Sequence, residues 1–347
     1  MFAPPPSSRI ASAMDAPPIR YLTTSDGKRL AYSVCGGGRP LVFVPNLVHH
    51  IGWSSSLWPE WIDGLASRFR MVQFNFHGQG PSSRGLTPEH SRTDWERELA
   101  AVMDELHLDS AVLFGTSTGA HVALAYAIAH PERVDALIVN CASVAMRAWP
   151  EAFWQGLSDE SWPLFLESIV PRGLTPVQTQ TWLVALGELF TPEDFRVAIR
   201  TTRLSDLKDD LGHVQTHALV LHPRRYSQLP VEEGARLSAG IANARFVVID
   251  GDSQYGAADQ AFRAIDSFVA SLPPRESTST SPAARLSARE LEVLRLLSAG
   301  KTNQHIADEL VISLNTVNRH VSNIYAKTGV ANRAEAVGYA HRNGLAG

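Results

Sequence analysis

The chain has 347 residues, and 44 % of them are hydrophobic, so length and composition predict two or three globular domains. The net charge of −4 argues against a uniformly basic protein that coats nucleic acid. Residues 286–347 nevertheless carry 7 basic and 5 acidic side chains, whereas the residues before them are net acidic. The two parts of the chain therefore differ in the sign of their charge.

The beginning of the chain, residues 1–18, is rich in Pro, Ala and Ser, and we expect it to be a disordered tail. No apolar run in the sequence approaches the roughly 18 residues that a membrane-spanning helix needs. The two cysteines, Cys35 and Cys141, form no C-x-x-C pair, which favours a reducing compartment. We therefore expect a cytoplasmic protein that does not bind a membrane.

Residues 19–271 carry the pattern of an α/β domain with a doubly wound, mostly parallel sheet. Two short runs around the turn Asp26-Gly27 predict a hairpin. After the hairpin, short apolar runs rich in branched residues alternate with helical patterns such as 120–130 and 231–239, which is typical of a parallel sheet covered on both faces. The predicted strands of this series are 41–44, 71–76, 111–114, 136–139, 218–221 and 246–249.

Two stretches interrupt or follow this alternation. Between residues 145 and 213 the strand pattern stops, and helical periodicity broken by prolines predicts an inserted helical cap. Residues 272–285 combine Pro, Ser and Thr without apolar periodicity, which is typical of a linker. The linker would separate the α/β domain from a small all-α domain at 286–347.

A G-x-S-x-G sequence lies within the strand series. Gly115-Thr116-Ser117-Thr118-Gly119 follows the predicted strand 111–114 and precedes a helix of small residues, a context that holds the serine on a strained turn above the sheet. With PLVFVPN and FNFHGQGPSS upstream, the chain resembles the α/β-hydrolase superfamily over about residues 20–271. The resemblance implies an oxyanion hole formed by backbone N–H groups near Asn46 or Leu47 and at Thr118.

Hydrolysis by Ser117 would also need a base and an acid. The superfamily places the acid and the histidine after the strands 218–221 and 246–249, where this sequence has Tyr226 and Gln254. Glutamine cannot accept the serine proton, and loss of the base costs on the order of 10⁶ in rate in a comparable enzyme, roughly 8 kcal/mol. We therefore predict a degenerate triad and no catalysis.

Other histidines could replace the base, because this fold brings the loops of His49, His50 and His77 near Ser117, and His222 ends a neighbouring strand. A cavity that binds a ligand without hydrolysing it would instead suit a receptor, and the aromatic residues of the cap can line an apolar pocket. We expect a small apolar, ester-like or lactone-like ligand, with no cofactor and no metal. The predicted ligand contacts are Asn46, Leu47, His49, Ser117, Thr118, Trp154, Tyr226 and Gln254.

The last 62 residues carry the start and stop signals of four helices. Val317, Val321 and Ile324 fall on one inward face of the third helix, and polar residues remain on its outer face. Gly300 stands where a left-handed residue ends the first helix. The predicted N-terminal caps are Ser287 with Glu290, Thr302, Ser313, and Asn332 with Glu335.

The stretch LSARELEVLRLLSAGKTNQHIADELVISLNTVNRHVSNIYAKTGV resembles the LuxR/GerE helix-turn-helix family. This resemblance implies a transcription regulator that binds double-stranded DNA, often as a homodimer paired through the fourth helix. Asn318 departs from the lysine that is usual in the family, and we expect weaker electrostatic anchoring there. The resemblance implies phosphate contacts from Thr302, Asn303, Thr316 and Lys327, and groove contacts from Val317, Asn318, Arg319, Ser322 and Asn323.

The two domains together predict a ligand-responsive transcription regulator, in which a catalytically inactive α/β-hydrolase fold controls DNA binding. The ligand would have to bind two states of the protein unequally for such control. Two alternatives remain open. One is an active serine hydrolase with a DNA-binding output, and the other is a regulator whose N-terminal domain is only a dimerisation or docking platform.

Overall fold

The computed structural model describes residues 17–145, 160–171, 174–272, 286, 288–310, 312–328, 330 and 332–346. Its chain divides into two compact units, Met1–Leu272 and Pro273–Gly347. Nearly all of the predicted tail and linker, the first part of the predicted cap and the predicted ligand contact Trp154 lie outside the described residues.

The first unit is built on one sheet. Its strands are β1 (Arg20–Thr23), β2 (Arg29–Cys35), β3 (Pro40–Val44), β4 (Arg70–Phe74), β5 (Ala111–Thr116), β6 (Val134–Asn140), β7 (Ala218–Pro223) and β8 (Ala244–Ile249). Within the described residues they lie in the order β1-β2-β4-β3-β5-β6-β7-β8. The β1–β2 and β2–β4 pairs are antiparallel, and the other pairs are parallel. The predicted hairpin and mostly parallel sheet are confirmed.

Helices cover both faces of this sheet because its strands are apolar on both sides. The helices are α1 (Ser54–Leu57), α2 (Pro59–Ala66), α3 (Arg92–Glu105), α4 (Thr118–Ala129), α5 (Trp162–Ile169), α6 (Pro176–Leu189), α7 (Pro192–Arg203), α8 (Val231–Ala239) and α9 (Ala258–Ser271). On one face α3 and α4 pack with α8 and the cap helices, and on the other α2 packs with α9. In β5, for example, Leu113 belongs to the first core and Phe114 to the second.

The described part of the cap consists of α5, α6 and α7. Pro163, Pro176 and Pro192 each lie in the first turn of one of these helices, where the missing N–H has no helical acceptor to lose. These three prolines, which interrupt the sequence periodicity, therefore mark helix starts. Arg84 donates to the backbone oxygen of Leu189 over 2.6 Å, which ties the end of α6 to the loop after β4.

The described part of the second unit holds α10 (Ala288–Ser298), α11 (Asn303–Leu310), α12 (Leu314–Thr328) and α13 (Arg333–Arg342) around one core. Three predicted caps form here: the side chains of Thr302, Ser313 and Asn332 accept the backbone N–H groups of His305, Thr316 and Glu335. Gly300 has a φ of +80°, as expected at a helix end. The predicted cap Ser287 lies outside the described residues.

Among the helices that the structure describes, none combines the length and the apolar composition needed to cross a bilayer.

Candidate functional site

The turn between β5 and α4 holds Ser117 in a strained conformation. Its φ is +49° and its ψ is −121°, a region that costs a non-glycine residue free energy and persists only when the surrounding structure imposes it. The strand β5 is fully buried, and α4 starts at the next residue, Thr118. The predicted strand-turn-helix context of the serine is therefore present.

The two glycines of the turn permit the close packing that imposes this strain. A Cβ atom at Gly119 would lie 2.2 Å from the backbone oxygen of Val44, and one at Gly115 would lie 2.7 Å from the backbone of Ala120. Both distances are far below ordinary van der Waals contact. The sequence G-x-S-x-G thus reflects a steric requirement of α4 against β3 and β5.

The backbone around Ser117 offers donors toward the cap. No acceptor within the described residues takes the backbone N–H of Leu47 or of Thr118. The loop that carries Leu47 is fixed by Asn46, whose Oδ1 accepts the backbone N–H of Val48 over 2.8 Å and whose backbone oxygen accepts Nε2 of Gln79 over 2.6 Å. Leu47 and Thr118 line the same cavity, and two N–H donors facing one space suit a carbonyl oxygen.

Gln254 stands at the position expected for the base, but its side chain contacts Thr116 instead of Ser117. Its Nε2 donates to Oγ1 of Thr116 over 3.1 Å, and its backbone oxygen accepts Nδ2 of Asn140 over 3.2 Å. Oγ1 of Thr116 also accepts Nδ2 of Asn46 over 2.5 Å. The described residues provide no hydrogen-bond partner for the Ser117 hydroxyl. The amide therefore stabilises the loop and, among the described residues, makes no bond to the serine.

Tyr226 stands at the position expected for the acid. Its hydroxyl donates to Oε1 of Gln228 over 2.9 Å, and burial raises the pKa of Tyr226 to about 12. A phenol with this pKa is neutral near pH 7 and carries no negative charge that could orient and stabilise an imidazolium.

The four histidines considered as substitutes for the base all have other surroundings. His50 accepts the backbone N–H of Gly52 on Nδ1, and His222 contacts the backbone oxygen of Pro223 through Nδ1. His77 contacts Oγ of Ser83 and the backbone oxygen of Gly85 through its two ring nitrogens. None of them makes a hydrogen bond to Ser117 in the described part of the chain.

His49 requires a correction, because we expected it to contact the ligand. Its side chain is fully buried, its ring stacks on Phe43 at a centroid distance of 4.4 Å, and Trp58 lies parallel at 6.2 Å. Burial lowers the pKa of His49 to about 3, so the ring is neutral near pH 7. His49 is a packing residue beneath the loop and does not line either cavity described below.

Two small cavities lie between the sheet and the cap. The first has a volume of about 10 Å³ and is lined by Asn46, Leu47 and Thr118 together with the cap residues Phe190 and Ala198. The second, also about 10 Å³, is lined by apolar residues of the cap and shares Leu47 and Phe190 with the first. Each volume accommodates roughly one water molecule. Of the predicted ligand contacts, Asn46, Leu47 and Thr118 line a cavity, whereas Ser117, Tyr226 and Gln254 line neither.

The outer face of α12 carries most of the predicted groove contacts. Asn318, Arg319 and Ser322 are exposed and Asn323 is partly exposed. We call these four residues the recognition face. Val317 is a correction: its side chain is 0 % exposed and belongs to the core of the second unit, so it cannot contact a base. The inward assignment of Val317 from helical periodicity is the one that the structure supports.

The predicted phosphate contacts have different surroundings. Thr302 is exposed and Thr316 is partly exposed, and both lie in the first turn or cap of a helix, where backbone N–H groups favour anions. Asn303 donates through Nδ2 to Oδ1 of Asn318 over 2.8 Å. Lys327 places Nζ 2.9 Å from Oε2 of Glu290, so a phosphate would have to compete with a carboxylate for it.

Sequence reasoning missed three residues that shape these sites. Thr116 and Asn140 hold Gln254, and Arg333 contacts Asn303. Thr116 and Asn140 are polar residues at the carboxyl ends of adjacent parallel strands, which is a signal that the sequence does contain. Arg333 has no such signal, because it reaches Asn303 only through the packing of α13.

Known families match both units. The family described as "alpha/beta hydrolase fold" matches residues 39–244, and "Bacterial regulatory proteins, luxR family" matches residues 284–340. The transcriptional regulatory protein LiaR of Bacillus subtilis is 48 % identical over 64 residues, which are 18 % of this chain and 30 % of LiaR. The match lies within a regulator, but it covers a small part of either chain.

Hydrolases are similar to the rest of the chain. A pimeloyl-[acyl-carrier protein] methyl ester esterase of Nitrosomonas europaea is 26 % identical and covers 59 % of this chain and 86 % of the esterase. The chain spans between 30 % and 45 % of the length of the first four curated relatives it matches. The crystal structure of a hydrolase from Pseudomonas aeruginosa PA01 superposes with a TM-score of 0.60 at 21 % identity, covering 72 % of this chain and 98 % of that one. This likeness concerns the fold.

Proposed function

Since this chain belongs to the α/β-hydrolase fold family and carries a luxR-family regulatory domain, we propose that it is a ligand-responsive transcription regulator whose hydrolase-type domain does not hydrolyse its ligand. The single observation that carries the proposal is the position of Gln254, whose amide is bonded to Thr116 where the fold would place a catalytic histidine. The strained serine remains, but no basic group faces it in the described residues.

DNA binding is the output in this proposal. The recognition face presents amide, guanidinium and hydroxyl groups, which can contact base edges and phosphates. The first turns of α11 and α12 add backbone N–H groups for phosphate. We further propose that two chains bind double-stranded DNA as a homodimer on symmetric half-sites.

Ligand binding is the input. The first cavity lies beside the free N–H groups of Leu47 and Thr118, and the second is apolar and shares Leu47 and Phe190 with it. A small, largely apolar molecule with one carbonyl group, such as an ester or a lactone, fits this combination of surfaces. Each cavity has room for roughly one water molecule, so the ligand would enter by moving Leu47 and the cap and joining the two spaces. The state with the cap displaced would then bind the ligand more tightly than the state with the cap closed, and such a difference in affinity is what control of DNA binding by a ligand requires.

The test is a thermal-shift screen of the full chain against ester, lactone and aromatic metabolites, with DNA affinity measured alongside. We expect at least one compound that both stabilises the protein and changes its DNA affinity. Leu47→Trp should abolish both effects, because the indole would fill the two cavities. The matched control Leu204→Trp adds the same side chain at a cap position that is 79 % exposed and should leave both effects intact. If no compound produces both effects, ligand control is wrong.

A second candidate function is favoured by the small volume of the cavities. In it, the hydrolase-type domain is a dimerisation or docking platform and binds no ligand. The same screen separates the two candidates, because a platform would give a dimer whose DNA affinity is the same with every compound. Dimerisation itself is measured by sedimentation of the full chain.

An active hydrolase would be revealed by turnover of nitrophenyl esters that disappears in Ser117→Ala. We expect no such turnover in the wild type. Gln254→His together with Tyr226→Asp would restore the residue types of a triad, and measurable turnover in this double variant would confirm that the two replacements, and not the turn at Ser117, abolish catalysis.

A further inference from the structure

Three side chains connect the last helix of the second unit to its recognition face. Nη1 of Arg333, at the start of α13, donates to Oδ1 of Asn303 over 3.4 Å. Nδ2 of Asn303, at the start of α11, donates to Oδ1 of Asn318 over 2.8 Å. Asn318 is exposed on α12, so the chain of bonds ends at the surface where DNA would bind.

Arg333 fixes the direction of both bonds. Its guanidinium can only donate hydrogen bonds, so the atom of Asn303 that faces it must be the carbonyl oxygen. The amide nitrogen of Asn303 then faces Asn318, which must present its own oxygen to it. The other guanidinium nitrogen of Arg333 donates to the backbone oxygens of Lys301 and Leu297, which holds the side chain in place. The orientation of the Asn318 amide follows from this arrangement.

From this orientation we infer that Asn318 is a specificity-determining residue that acts on DNA as a hydrogen-bond donor. Its Oδ1 is occupied by Asn303, and its Nδ2 group has no partner among the described residues. Asparagine usually reads adenine with its oxygen and nitrogen together, and an occupied oxygen disfavours this bidentate contact. Guanine, through N7 and O6, and thymine, through O4, offer acceptors to a donor.

The inference rests on the proposed DNA-binding function. It also predicts what changes when Asn318 replaces the lysine that is usual in the family. A lysine at this position would also be only a donor, but it would bring a positive charge. Asn318 keeps the donor and omits the charge, so base preference would be conserved while the salt dependence of binding would be weaker. Asn303 and Arg333 are positioning residues in this arrangement, because they act through Asn318.

The experiment is selection of binding sequences from a randomised double-stranded DNA library by the full chain, compared among variants. We expect the wild type and Asn318→Lys to enrich guanine or thymine at the same position, and Asn318→Lys to show a steeper salt dependence. In Asn303→Ala the oxygen of Asn318 is released, and adenine should increase at that position by about fivefold or more, since a good bidentate pair is worth about 1–3 kcal/mol.

Two further variants distinguish the loss of the Asn303–Asn318 bond from instability of Asn303→Ala and from a general effect of substitution in α11. Asn303→Asp can still accept from Arg333 but presents an acceptor to Asn318, so the Asn318 amide should turn to donate to it and expose its own oxygen. Adenine should then increase at that position even if the alanine variant is unstable. Gln304→Ala, next in the same helix and bonded only to Asp308 in the described residues, should leave the preference unchanged.

The possible failures are distinguishable. If the wild type enriches no sequence, the proposed DNA-binding function is wrong, and the inference with it. If the wild type enriches a sequence but prefers adenine at the position where Asn318→Lys enriches guanine or thymine, the inference alone is wrong. The same conclusion holds if both Asn303 variants bind DNA with an unchanged base preference.

Discussion

The ion pair between Lys327 and Glu290 gives Lys327 a role in stability that can be tested separately from the phosphate contact implied by family resemblance. Nζ of Lys327 lies 2.9 Å from Oε2 of Glu290, and the two side chains are 22 % and 2 % exposed. Lys327 lies near the end of α12 and Glu290 in the first turn of α10, so the pair joins two helices of one core. We expect Lys327→Met to destabilise the second unit.

The size of the effect follows from burial. Removing one partner of a buried ion pair costs about 3–5 kcal/mol, because the remaining buried charge loses that ion pair, and the partial exposure of Lys327 places this pair near the lower limit. A loss of about 3 kcal/mol corresponds to a change of roughly 100-fold in the opening equilibrium. Replacing both residues, as in Glu290→Leu with Lys327→Met, should restore most of the stability, because both charges of the pair are then removed.

Hydrogen exchange in the full chain measures this opening in peptides from α10 and α12. Lys301→Met is the matched control, because Lys301 pairs with Glu309 at 3.4 Å on an exposed surface, with side chains 45 % and 47 % exposed. We expect a loss below about 1 kcal/mol for this exposed pair. Equal losses in the two lysine variants would refute the reasoning from burial.

The same variants test the phosphate contact that family resemblance implies for Lys327. If Lys327 serves the ion pair, the double variant binds DNA with the salt dependence of the wild type. If it contacts a phosphate, the logarithmic slope decreases by about 0.9.

Three other changes have defined outcomes. Gly119→Ala should cost about 3 kcal/mol or more in thermal or urea unfolding, because its Cβ would lie 2.2 Å from the oxygen of Val44. Burial raises the pKa of Glu98 from 4.5 to about 7. Between about pH 4.5 and pH 7 the folded state therefore binds a proton that the unfolded state has released, and the free energy of unfolding falls as pH rises through this range. In urea unfolding, Glu98→Gln should be more stable than the wild type by up to about 3 kcal/mol at pH 8 and by little at pH 4. Asn332→Ala should cost about 1 kcal/mol, seen as faster hydrogen exchange in α13, because the N–H of Glu335 loses its cap.

Much of the fold could be predicted because its signals are local. Helix caps such as Thr302 and Asn332 act within three residues, and the strained turn at Ser117 is specified by the two glycines beside it. Apolar runs predicted the strands of the parallel series, although the run 71–76 forms a strand that ends at Phe74. Chain order within the fold identifies Gln254 as the residue at the expected position of the base, and the loss of the base stays a prediction.

Residue roles that depend on partners distant in sequence were decided by the tertiary structure. His49 lies in a loop that the sequence places near Ser117, but its ring stacks on Phe43 in the core. Helical periodicity places Val317 in the core and family resemblance places it in the groove, and burial excludes the groove. The size of the space above the turn depends on how cap residues such as Phe190 pack, and periodicity contains no information about that volume.

For this protein, the sequence by itself determined the two-domain architecture, the strand-turn-helix context of Ser117 and the helix that is proposed to face DNA. Only the tertiary structure decided that Gln254 is bonded to Thr116, that Lys327 is bonded to Glu290, and that the oxygen of Asn318 accepts a bond from Asn303. The physical reason is one of range. Backbone conformation responds to neighbours within a few residues, whereas the protonation, orientation and accessibility of a side chain depend on atoms brought together by packing.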